Sequence, residues 1–215
     1  MKIIAFSLWG KKAIYNVGAI RNTHLQPKVF PGWRCRFYCA DDVPKKTTSE
    51  LKRLGAEVVS VGQGRGFEGA FWRFRAAMDA EVMISRDTDS RLSEREAVAV
   101  DEWLKSKRKF HIMRDHPYHN VKILAGMWGC RNGIPDLKKL LKNWKDYSYK
   151  QCDQVFLDRY VWPRIKNDVL IHDDVMYPKL ANTKKFPTKR INHHFVGEIF
   201  DSNDKRHPEH WKVFK

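Results

Sequence analysis

At 215 residues, with 42% hydrophobic and 13% aromatic side chains, the chain is long and apolar enough for one packed domain, which excludes a disordered or fibrous protein. Its net charge of +16 is spread along the sequence and calls for an anionic partner, whether nucleotide, acidic glycan, nucleic acid or membrane surface. No segment approaches the ~20 apolar residues of a membrane helix, Ile3–Trp9 is too short for a signal-peptide core, and Cys35, Cys39, Cys130 and Cys152 make no zinc spacing, so reduced thiols in the cytoplasm are expected.

In chain order, Lys2–Trp9 reads as a buried strand, residues 15–30 as a helix stopped by Pro31-Gly32, and Arg34–Ala40 as a second strand. Thr47-x-x-Glu50 has the form of a capping box opening a helix that closes at Gly55. A third strand over Ala56–Val61 leads into Gly62-Gln63-Gly64-Arg65-Gly66. That loop lacks the Walker lysine and does not complete G-x-G-x-x-G, so it reads as a mobile connection. Glu68–Met78 is expected to be helical and Glu81–Ser85 to be a fourth strand. Ser93-x-x-Glu96 is a second capping box, with Ala97, Val100 and Leu104 on one helical face. Strand and helix alternating in this way imply an α/β fold with a mostly parallel sheet flanked by helices.

The second half has a mixed pattern. Phe110–Arg114 and Ile123–Cys130 read as strands, and Leu137, Leu140, Leu141 and Trp144 as the apolar stripe of a helix. Asp153–Trp162 is a further helix ended by Pro163, and Asp168–His172 a last strand. No repeat or linker divides the chain.

The chemistry concentrates at Arg86-Asp87-Thr88-Asp89-Ser90-Arg91. Residues i and i+2 of an extended segment share a face, so Asp87 and Asp89 can converge on one cation. They stand where a strand runs out, the place where open α/β sheets bind ligands. Paired carboxylates suit Mg²⁺ or Mn²⁺ holding phosphates, and Arg86 and Arg91 keep the surroundings attractive to anions.

This string, with His111-Ile112-Met113-Arg114-Asp115-His116-Pro117 and Met127-Trp128-Gly129, resembles the small glycosyltransferase domains of chlorella viruses and related capsule-building enzymes. The resemblance implies a single GT-A-like domain, with a nucleotide-binding half over about 1–92 and an acceptor half over about 93–215. It implies a UDP-sugar donor, a glycan or glycoprotein acceptor, Mn²⁺ or Mg²⁺, no nucleic acid, and the host cytoplasm if the chain is viral.

A looser similarity, to retaining GT-A enzymes of the glycogenin and lipopolysaccharide galactosyltransferase type, rests on Arg73 before the Asp-x-Asp, on Asp153-Gln154, and on His194-Phe195-Val196-Gly197. The Lys-Pro-Trp that follows in that group is absent, since Glu198-Ile199-Phe200 stands there. By this similarity Asp89 and His194 are metal ligands, and Asp87 shares the metal or reaches the ribose. Asp153 and Gln154 face the sugar, while Arg73 and Gly197 contact the donor. Ser7, Tyr15 and Asn16 are candidates for uracil and ribose. An inverting enzyme would need a general base, for which Asp115, Asp173 or Asp174 is available. The alternative from another class is a basic, metal-dependent nucleic-acid-binding protein or nuclease, using the same acids for metal and the lysines for phosphates.

Overall fold

The computed structural model describes residues 1–175 and 183–214. Strands β1 (Lys2–Leu8), β2 (Arg34–Cys39), β3 (Glu57–Ser60), β4 (Val82–Ser85), β5 (Phe110–Arg114), β6 (Trp128–Arg131), β7 (Val169–Asp173) and β8 (Thr183–Lys184) form one sheet in the order β3-β2-β1-β4-β6-β5-β7-β8. All pairings are parallel except those of β6, which runs antiparallel to both β4 and β5. This is the α/β fold expected from the alternating pattern.

Period-2 geometry assigns the side chains of the central strands to two cores. Ile3, Ala5 and Met83 join one cluster, while Ile4, Phe6, Leu8 and Ile84 join the other. Helices α1 (Ala13–Val29), α2 (Lys45–Arg53) and α3 (Glu94–Lys105) cover the second face through Ala19, Leu51, Val100 and Trp103. A 3₁₀ segment (Glu68–Met78), α4 (Leu137–Asn143) and α5 (Cys152–Phe156) cover the first through Phe71, Phe74, Leu137 and Phe156. Both sheet faces are therefore closed, which is why β1 reads as an unbroken apolar run.

The Ser93/Glu96 capping box forms in full. The one expected at Thr47 does not. α2 begins two residues earlier, behind Pro44, whose fixed φ of -54° already suits a helix entry, and Glu50 pairs with Arg53 at 2.7 Å. Residues 123–127 are loop, and only Trp128–Arg131 pairs as a strand. Pro163 does not end its helix. α5 widens through a π turn (Leu157–Val161) into α6 (Trp162–Ile165), and Pro163, the second residue of α6, follows directly on that widened turn. No helix among the described residues is long and apolar enough to cross a membrane.

Candidate active site

Parallel strands β1 and β4 are neighbours, and both end at one cleft of about 420 Å³, within the usual range for ligand pockets. Ser7 and Trp9 reach it from β1, Tyr15 from α1, Arg73 from the 3₁₀ segment, and Asp87 and Asp89 from the turn after β4. Asp153, Gln154, His119 and Gly197 complete its walls.

Glycine lets the parts approach. A Cβ on Gly18 of α1 would lie 1.9 Å from the Thr88 carbonyl oxygen, and one on Gly126 would lie 1.9 Å from Asp87 Oδ2. Helix and loop therefore clasp the Asp87–Asp89 turn from two sides.

Arg73 is the electrostatic hub. It is buried, 5% exposed, and donates to the Asp87 carboxylate, to the Arg86 carbonyl at 2.9 Å and to Asp153 Oδ2 at 3.3 Å. Its backbone N–H donates to Ser7 Oγ at 3.0 Å, which fixes the 3₁₀ segment against β1. Burial opposes its charge, but Asp87 and Asp153 outweigh burial and raise its pKa. Burial likewise raises Asp153 against the pull of Arg73.

Asp89 is in a different situation. Among the described residues no donor from another residue reaches its carboxylate, and burial, followed by repulsion from Asp87, pushes it up to about 6. Burial and the same two acids raise the Tyr15 phenol. A half-buried carboxylate beside a second one, with no hydrogen-bond partner from elsewhere among the described residues, is stabilised most directly by a cation.

The donors present fit a hard divalent ion. Mg²⁺ and, by the same oxygen preference, Mn²⁺ are commonly held by one or two carboxylates with substrate phosphates supplying further oxygens. Among the described residues no third His, Cys, Asp or Glu joins Asp87 and Asp89 in a metal-holding group.

With this geometry in hand, the architecture can be matched. Mannosyl-3-phosphoglycerate synthase from Rubrobacter xylanophilus superposes with a TM-score of 0.52 at 12% identity, over 89% of this chain and 68% of its own. Glucosyl-3-phosphoglycerate synthase from Mycobacterium tuberculosis, in complex with Mn²⁺, UDP and glucosyl-3-phosphoglycerate, has a TM-score of 0.52 at 12% identity, over 80% and 69% of the two chains. The chain has the GT-A fold. No protein-family model and no curated protein matches the sequence.

Several residues expected at the GT-A cleft lie elsewhere. His194 faces a separate cavity beside α1 and α3, its Nδ1 2.8 Å from Glu198 Oε2 and its ring stacked 6.3 Å from Phe200. Asn192 and His193, both left-handed at φ 53° and 60°, turn the chain just before it. Asp115 is fully buried. It takes Arg95 at 2.7 and 2.8 Å, Arg190 at 2.6 Å and the Val196 N–H at 2.9 Å, which leaves it no proton to collect. Asp173 and Asp174 are likewise held, by Arg114 and Arg95 at 2.6 Å each.

Arg86 is buried against Glu96 at 2.5 Å and ties β4 to α3. Arg91 pairs with Asp204 at 2.9 Å. Asn16 donates to the Gly10 and Lys12 carbonyls at 3.1 and 2.9 Å, shaping the turn after β1 without lining the cleft.

Trp9 and His119 are among the lining residues absent from the expected set. Trp9, 39% exposed, packs on Gly69 at the mouth and was legible as an aromatic directly after a central strand. His119 accepts the Asp115 N–H at Nδ1, 3.0 Å, which assigns the proton of the neutral ring to Nε2. Burial lowers its pKa to about 3, so at neutral pH it offers an N–H donor and is a poor base.

Proposed function

We propose that this protein is a metal-dependent glycosyltransferase that moves a hexose or deoxyhexose from a UDP-sugar to a glycan or glycoprotein acceptor, with retention at the anomeric carbon. The reading is carried by one observation: Asp87, Asp89 and Asp153 gather with Arg73 where β1 and β4 end, in a GT-A fold. A neighbouring glucosyl-3-phosphoglycerate synthase structure holds Mn²⁺ and UDP-glucose, which are ligands of the class these donors suit.

Asp89 and Asp87 would hold Mn²⁺ or Mg²⁺, which when bound neutralises the charge developing on a departing diphosphate. Ser7 and Trp9, at the end of β1, and Tyr15 of α1 form the nucleoside side. Gln154 Oε1 is buried with no partner among the described residues, an acceptor matched to a sugar hydroxyl. Asp153 orients the sugar while Arg73 restrains its charge. His119 donates from Nε2 to a donor-substrate oxygen, and Gly197, at φ 82° against the Met127 sulfur, keeps the wall beside it thin.

Retention is supported by the lack of a free general base among the described residues. Asp115, Asp173 and Asp174 are sealed in ion pairs, His119 is too weak a base, and Asp153 is held by Arg73. The acceptor proton then passes to an oxygen of the leaving diphosphate. Acceptor and leaving group share one face of the sugar, and the configuration is kept.

The test is thermal stability and UDP release across a panel of nucleotide sugars with and without Mn²⁺. Saturation at a hundredfold excess over Kd stabilises the fold by about 2.7 kcal/mol. Both effects should vanish in Asp89→Ala, and normal turnover by that variant would sink the reading.

A further inference from the structure

Beside the cleft runs a second and larger groove, of about 880 Å³, between the 3₁₀ segment and α4. Arg65, Arg75, Lys138, Lys142 and Lys145 line it. Among the described residues none of these five cations has an ion-pair partner, whereas Arg36, Arg73, Arg86, Arg91, Arg95 and Arg190 all do.

The two acids on its wall are committed locally. Glu68 accepts the Arg65 backbone N–H at 3.1 Å, and Asp146 accepts the Ser148 hydroxyl at 2.6 Å. Lys138 and Lys142 stand four apart on one helical face, a spacing at which like charges destabilise a helix. α4 is thus weakened by charges that nothing in the described protein neutralises, and an anionic ligand in the groove would relieve that strain. The floor, Trp72, Leu141 and Tyr147, is apolar enough to pack against sugar rings.

The groove and the cleft share a wall. Phe67 N–H donates to the Tyr147 carbonyl at 2.9 Å and zips loop 65–68 to loop 147–151. Glu68 and Ser148 face the groove, while Phe67, Lys150 and Gln151 face the cleft. A chain lying in the groove therefore has its end next to Asp153 and Gln154.

We propose that this groove binds the anionic part of the acceptor, a polyanionic saccharide bearing repeated carboxylate, phosphate or sulfate groups, and delivers its terminal hydroxyl to the cleft. The assignment deepens the glycosyltransferase reading and rests on it. A groove with a floor, continuous with the site of transfer, favours a saccharide chain over a duplex nucleic acid or a flat membrane.

The test compares oligogalacturonate of defined length, its methyl-esterified neutral homologue and a single-stranded oligonucleotide, by fluorescence polarisation, on the full chain and on Lys138→Gln/Lys142→Gln. Both lysines are exposed, and removing a like-charge pair leaves the melting temperature intact. The free acid should bind in a salt-sensitive way, the ester at least tenfold more weakly, and the double variant should lose at least tenfold for the acid. Its stabilisation by UDP and Mn²⁺ should be unchanged.

Equal binding of the ester, equal binding by the variant, or an oligonucleotide bound tenfold tighter than the uronate would each overturn the proposal. UDP binding without uronate binding refutes the groove alone. Uronate binding through the lysines, with no response to UDP, overturns the acceptor assignment together with the glycosyltransferase reading.

Discussion

Arg73 and Asp153, 80 residues apart in sequence, meet across the cleft with Nη2 3.3 Å from Oδ2, while the same guanidinium holds Asp87. One cation thus keeps two acids of the site in place. Removing one member of a buried pair strands the other, at a cost of roughly 3–5 kcal/mol. Arg73→Ala should lose about 3 kcal/mol in urea unfolding at neutral pH. The deficit should narrow on acidification, because protonation removes the repulsion among Asp87, Asp89 and Asp153. Arg73→Lys should restore much of the stability and little of the turnover, since a point charge cannot span both carboxylates.

Asp89 sets a pH dependence whose sign can be worked out. Its folded pKa of about 6 lies above the ordinary 3.8, so the native state holds the proton more tightly than the unfolded chain. Its contribution to stability is complete below about 4 and is lost as pH rises through about 6. Mn²⁺ competes with that proton, so stabilisation by Mn²⁺ should be weak at pH 5 and level off above about 6.5. Asp89→Asn should raise the melting temperature of metal-free protein above pH 6 and abolish its response to Mn²⁺. A response retained at full size would remove Asp89 from the metal site.

The two clasping glycines should respond differently to alanine. At Gly18 the new methyl meets a backbone carbonyl, and overpacking of roughly 1–3 kcal/mol exceeds the ~1 kcal/mol that alanine gains in a helix. Gly18→Ala should therefore lower the melting temperature. At Gly126 the methyl meets the end of the half-exposed Asp87 side chain, which can yield by loosening its ion pair with Arg73. Gly126→Ala should cost less stability than Gly18→Ala and lose UDP affinity, as read by calorimetric titration.

Asp115 and His194 were both expected to take part in chemistry, and their positions give them other work. Asp115→Asn should cost about 3 kcal/mol by leaving Arg95 and Arg190 facing a neutral amide. The fraction that folds should keep its kcat. His194→Ala should leave the Mn²⁺ response intact, and His119→Phe should weaken UDP-sugar binding by removing the Nε2 donor. A lost Mn²⁺ response in His194→Ala would return that ring to the metal site.

What was local was legible in the sequence. The apolar run of β1, the Ser93/Glu96 box and the two acids one residue apart after β4 each depend on neighbours within a few positions, where periodicity and hydrogen-bond reach suffice. Even the sheet follows from strands and helices in alternation. Which histidine lines the cleft, which aspartate is sealed and which cations stay unpaired were decided only by packing. Asp115 differs from Asp153 in what the fold brings against it: Arg95 and Arg190, 20 and 75 residues away, together with the Val196 N–H occupy its lone pairs, while Arg73 leaves Asp153 at the edge of an open cleft. A carboxylate's role is set by the charge and water around it. Those are properties of the folded neighbourhood, and no spacing along the chain contains them.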